Sequence, residues 1–155
     1  MRLNEIYPGL IACDFLVTEE DSYSWQVWLW DSVESYARWQ RIHRGVSDYE
    51  CLEDAAAHDG MPIEIGQPYQ LVGHLHFLRQ RWSEEVVAHE MLHAFIHYAR
   101  SQVPDLAKIF YLGPMIREEE SCCYPFGRWF SWVWRWLWKV DPPGARNQGD
   151  SLKAR

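Results

Sequence analysis

His89, Glu90 and His93 form an H-E-x-x-H run, and its spacing carries a chemical demand. Side chains four residues apart lie one above the other on an α-helix, so two imidazoles so placed can chelate one metal ion. The glutamate after the first histidine then borders the open side of that ion, where it can take a proton from a bound water. Such a chain must supply a helix over the motif, a scaffold that leaves one face of it accessible, and a further ligand from elsewhere. The spacing reads as a zinc hydrolase, most often a peptidase.

The flanking residues predict that helix independently. Ser83 is placed to cap it, and Glu84 and Glu85 follow in the first turn, where the helix macrodipole favours negative charge. Apolar residues recur at Val86, Val87, Met91, Leu92, Ala94, Phe95 and Ile96, and Pro104 lies beyond the expected end.

Composition narrows the setting. A chain of 155 residues, 48% hydrophobic, is long enough for one domain with a real core, expected over residues 1–140. Residues 141–155, opening with Asp-Pro-Pro-Gly, read as a disordered tail. A formal charge of −7 argues against nucleic acid and anionic membrane as partners, since both need basic surface. Cys13, Cys51, Cys122 and Cys123 show no C-x-x-C spacing and read as reduced thiols of a cytoplasmic protein. The first residues lack the build of a signal peptide.

Five of the ten tryptophans fall within residues 129–138. That run is shorter than the ~18–20 apolar residues of a membrane span, and Arg128, Arg135 and Lys139 flank or interrupt it. It reads as a core or partner-facing helix rather than an interfacial membrane helix. Its indoles cannot all point inward together, which makes residues 129–138 a candidate homodimer or partner contact.

Strand-like stretches cover residues 10–17 and 24–30, where Trp25, Val27 and Leu29 alternate with Gln26, Trp28 and Trp30. Residues 31–44 read as a helix with Val33, Tyr36, Ala37, Trp39 and Ile42 near helical spacing. A short helix is expected over residues 49–58, and Gly60, Pro62, Gly66 and Pro68 mark loop. Residues 69–78 read as a strand with Leu71, Gly73, Leu75 and Phe77 on one face and Val72, His74, His76 and Leu78 on the other. His74 and His76 are expected on a solvated face, as substrate contacts more than as ligands. A last helical region is expected to begin near Pro114.

Catalytic zinc takes three protein ligands and a water, so a third ligand is required. His97 extends the histidine face but stands ~12 Å of helical rise from His89, so one straight helix cannot bring His89, His93 and His97 to a single ion. It is expected as a neighbour of the site. In the acidic run Glu118-Glu119-Glu120, a helix over residues 114–123 would align Ile116, Glu119, Glu120 and Cys123 on one face and turn at least one carboxylate inward.

Residues 89–97, H-E-M-L-H-A-F-I-H, resemble the H-E-L-G-H-x-L-L-H segment of the ImmA/IrrE-type metallopeptidases, zincins whose third ligand is a glutamate. In that family an E-x-x-A-N-x-F-A segment supplies it, and residues 120–127, E-S-C-C-Y-P-F-G, are similar. The resemblance spans roughly residues 69–130 and implies Zn²⁺ held by His89, His93 and Glu120. Pro125 stands where the family's helix continues. If the helix breaks or shifts register there, Glu119 is the ligand instead. The resemblance further implies a compact α+β zincin-like domain: a small, mostly antiparallel sheet beside the active-site helix and a C-terminal Trp-rich helix. The expected activity is hydrolysis of a peptide bond in a protein or peptide substrate with Glu90 as general base. His74, His76, His97, Tyr98 and Tyr124 are candidates to contact the site or donate to the substrate carbonyl. The competing expectation is a non-catalytic binding or inhibitory module on the same scaffold, with the Trp-rich helix as its adhesive surface.

Overall fold

The computed structural model describes residues 3–17, 23–45, 56–61, 70–79, 81–102 and 116–142. Along the chain run helix α1 (Leu3–Ile6), strands β1 (Leu10–Val17) and β2 (Tyr23–Trp30), and helix α2 (Val33–Arg44). Strands β3 (Ala56–Gly60) and β4 (Gln70–Leu78) follow, then helices α3 (Glu84–Gln102) and α4 (Ile116–Val140). The class is α+β, and the strands form one sheet in the order β1-β2-β4-β3.

Strand β2 pairs antiparallel with β1 and parallel with β4, and β3 closes the far side of β4 antiparallel. The sheet is therefore mixed, with its parallel pair in the centre. A parallel pair needs a crossover on one face. The connection from β2 to β4 contains α2 and β3; α2 is started by Ser32, whose side chain accepts from the Ser35 amide, and ended by Gly45 in the left-handed region at φ 66°.

Central strands with both faces covered are apolar on both faces. Trp25, Val27 and Leu29 of β2 join Leu75 and Phe77 of β4 under α3 and α4, where Val87, Met91, Ala94, Val133 and Leu137 complete the larger core. Trp28, Trp30 and Leu78 face the other way and meet Val33, Tyr36, Ala37 and Trp39 of α2. The alternation expected for residues 24–30 is present, and what lies beyond each face is a helical layer.

Four details differ from the sequence reading. Val72 packs in the α3 core rather than on the face of His74, because the β2–β4 register skips it between Ser24–Leu71 and Trp25–Gly73. An extra residue in one strand reverses the alternation behind it. On α2, Gln40 is buried and Ile42 is 69% exposed, because the helix turns its apolar arc past Ile42. Of the helix expected over residues 49–58, the described part, residues 56–58, belongs to β3; residues 49–55 lie outside the described residues. Helix α4 runs unbroken through Pro125. Proline removes one backbone hydrogen bond there without ending the helix.

Asp141, expected to open the tail, instead fastens the end of α4. It is 2% exposed, accepts from Trp82 Nε1 at 3.0 Å and pairs with Arg79 Nε at 3.2 Å. Residues 143–155 lie outside the described residues. Replacing Asp141 by Ala strands the buried indole N–H and releases α4 from the β4–α3 corner. We expect a loss of about 2–4 kcal/mol in urea unfolding. Gly127 gives the opposite sign: it lies inside α4, and a methyl group there meets no atom within 4 Å. Gly127→Ala should raise stability by about 0.5–1 kcal/mol in the same assay.

Candidate metal centre

Ser83 starts α3 as its composition requires, accepting from the Val86 amide through its side chain and from the Val87 amide through its carbonyl. Val87, Met91 and Ala94 turn into the core and are fully buried. Their side of the helix is fixed by packing, so His89 and His93 are carried to the opposite side, where both are exposed. Glu90, about 100° around the helix from His89, sits on the border between the two sides and is 8% exposed.

The two imidazoles face each other. Their Nε2 atoms are 3.0 Å apart and their ring centroids 4.7 Å apart at 71°. Two nitrogens bound at ~2.0–2.1 Å to one tetrahedral zinc stand about 3.3 Å apart. The separation of the two nitrogens is within a few tenths of an ångström of that distance. Imidazole nitrogens are borderline-soft donors suited to zinc, and their exposure leaves room for water and a further ligand.

Glu118, Glu119 and Glu120 lie in the first turns of α4, but their side chains fall outside the described residues, as do those of Cys122 and Cys123. Among the described residues, no group of three His, Cys, Asp or Glu side chains gathers within reach of one ion. Helices α3 and α4 pack against each other through Phe95 with Phe126 and Trp129, and through Tyr98 with Trp129.

The remaining candidates are dispersed. His97 Nε2 lies 2.7 Å from the Met61 carbonyl, and its ring stands edge-on to Trp25. A carbonyl only accepts, so Nε2 carries the proton and is closed to a metal. Tyr98 is turned from the histidine pair into the core, between Tyr23 and Trp129. Tyr124 is 67% exposed on α4, beside a cleft of ≈ 520 Å³ bordered by Leu16 and Trp132.

His74 and His76 project toward α2, so the sheet separates them from α3. His76 is 1% exposed rather than solvated. It accepts from Trp30 Nε1 through Nδ1 at 3.1 Å and lies among Trp28, Trp30, Tyr36 and Trp39. Motif reading gave no role to Tyr7, Trp39 and His43 on that same side; the recurrence of aromatic residues at Trp39 and His43, one helical turn apart, was the available signal.

Comparison with protein-family models, with curated proteins and with solved structures finds no match. No helix among the described residues is long and apolar enough to cross a membrane.

His97 owes its placement to the absence of a side chain at Gly60, where a Cβ would come within 2.8 Å of the imidazole. Gly60→Ala should displace the ring and break the bond to Met61, moving the His97 ring resonances in NMR. Those of His89 and His93 should stay in place.

Proposed function

We propose that the chain is a zinc-dependent hydrolase of zincin type, cleaving a peptide bond in a protein or peptide substrate. The observation that carries this reading is the opposed pair of Nε2 atoms, 3.0 Å apart on the exposed side of α3. His89 and His93 are its ligands, with a carboxylate from Glu120, or from Glu119, as the third. The unbroken course of α4 through Pro125 removes the reason to prefer a shifted register and favours Glu120. Zinc, when bound, lowers the pKa of water toward ~7 and polarises a carbonyl. Glu90 takes the proton of the attacking water and passes it to the leaving amine. Its place next to His89 on α3, at the border of the core, supports that role.

A second reading has an observation of its own. Phe126, Phe130, Trp134 and Trp138 follow one another along α4 as successive ring contacts, and Trp138 is 46% exposed. Large aromatics on an accessible helix side suit a partner surface or a homodimer through residues 129–138. On that reading the scaffold is a binding module without turnover.

Metal analysis of the wild type beside His93→Ala separates the two. The hydrolase reading expects about one zinc per wild-type chain, none in His93→Ala, and a thermal midpoint raised by about 5–10 °C when zinc is present at a hundredfold excess over its Kd. Glu90→Gln should retain the metal and lose turnover about 10²–10⁴-fold against a peptide library. Zinc-free protein of normal stability, or full proteolysis by Glu90→Gln, would remove the reading.

A further inference from the structure

On the sheet side away from α3, a cavity of ≈ 610 Å³ opens between α1, the end of α2, the β2–β4 pair and the end of β3. A lobe of ≈ 270 Å³ adjoins it, and Ile6, Tyr7, Trp39 and His43 line both. Packed cores leave few voids larger than a water molecule, whereas small-molecule sites span ~300–1,000 Å³. The larger space is of the second kind.

Four parts of the chain bring rings to it. Trp28 comes from β2, His74 from β4, Trp39 and His43 from successive turns of α2, and Tyr7 from the turn between α1 and β1. Tyr7 stands edge-on to Trp28 at 5.2 Å, His74 edge-on to Trp39 at 5.5 Å, and His43 is tilted against Trp39 at 5.2 Å. The turn that carries Tyr7 is clamped. The Tyr7 carbonyl accepts from the Leu10 amide and the Gly9 carbonyl from the Asp31 amide, while Gly9, at φ 88°, leaves no room for a Cβ against Ser35. Rings fixed by one another and by such a turn lose little freedom on binding, so a ligand meets a surface already in place.

Rings set at steep angles present faces and edges together. A further flat ring extends such a cluster better than a saturated one, because edge-to-face and offset contacts add to the burial of area. A second observation agrees. Ile6 is 45% exposed, Met61 37% and Ile42 69%, and all three line the cavity or its lobe. A molecule seated among the rings covers apolar side chains that the fold alone leaves in water.

We propose that this cavity binds a small, flat aromatic molecule, seated among Tyr7, Trp39 and His43 with Ile6 and Met61 at its edge. Selection is by the flatness of the ring and its faces, not by charge. The site lies across the sheet from the His89–His93 pair and does not rest on metal or turnover at that pair.

The full chain is titrated by calorimetry with 2-naphthol and with decahydro-2-naphthol, its saturated counterpart bearing the same hydroxyl, and bound naphthol is located by intermolecular NOEs. Naphthol should bind at least about fivefold more tightly, the margin of one or two favourable ring pairs. Its ring protons should show NOEs to Tyr7, Trp39 and His43. His43→Ala, at an exposed position, and Tyr7→Leu should each weaken naphthol by about twofold to tenfold and narrow its margin over the saturated compound. A merely structural loss would weaken both compounds alike and leave the margin. Equal affinity for the two compounds, no saturable binding below about 1 mM, NOEs only to residues elsewhere, or an unchanged margin in both variants would each overturn the proposal.

Discussion

Strand β2 sits between β1 and β4 and sends Trp25, Val27 and Leu29 to one side and Trp28 and Trp30 to the other, all nearly or fully buried. Each such side chain contributes roughly 1.5–3 kcal/mol when taken from water. Neither side can be left open without forfeiting that gain, so both must be covered by helices. The connection from β2 to its parallel partner β4 contains α2, which covers one side. Helices α3 and α4 cover the other. The layered arrangement follows from one strand that is apolar on both sides and from the parallel pairing that one neighbour adopts.

The histidine pair inherits its position from that packing. Val87, Met91 and Ala94 are spaced four and three residues apart, and once they are pressed onto β2 and β4 the rotation of α3 is fixed. His89 and His93 then emerge on the side away from the sheet, and Glu90 falls between. A rotation of α3 by one residue, about 100°, would bury an imidazole in a wholly apolar layer. The core thus sets the orientation of the motif as strictly as any contact within the motif itself.

How much of this was legible in the sequence depends on the range of the forces involved. Helix α3, its Ser83 cap and strand β4 were readable because periodicity and capping act within a few residues. The alternation in β2 was readable for the same reason. The bulge at Val72, the strand at Ala56–Gly60 and the burial of Gln40 in place of Ile42 were not, because each is decided by a partner distant in the chain. Asp141 shows the same limit: an Asp-Pro-Pro-Gly run reads as chain end, and only the folded corner brings Arg79 and Trp82, about sixty residues upstream, to its carboxylate. The solvated strand face expected for His74 and His76 failed because a period of two identifies a polar side but not whether a helix will cover it. For the candidate site, the histidine pair on one helix was legible, whereas what other elements bring to it is decided by tertiary contacts.

Hydrogen bonding divides the histidines by the chemistry left open to them. The Met61 carbonyl demands a proton on His97 Nε2, and the Trp30 N–H occupies the Nδ1 lone pair of His76. Both rings are thereby committed to one tautomer at those atoms by a fixed partner on another element. His89 and His93 differ, because each meets at Nε2 an atom of its own kind. In the neutral pair one Nε2 must carry the proton and the other the lone pair, and the roles can be exchanged. Among the described histidines, His89 and His93 are thus the two whose Nε2 atoms face each other, whereas His76 and His97 meet a donor or an acceptor of a different kind on another element.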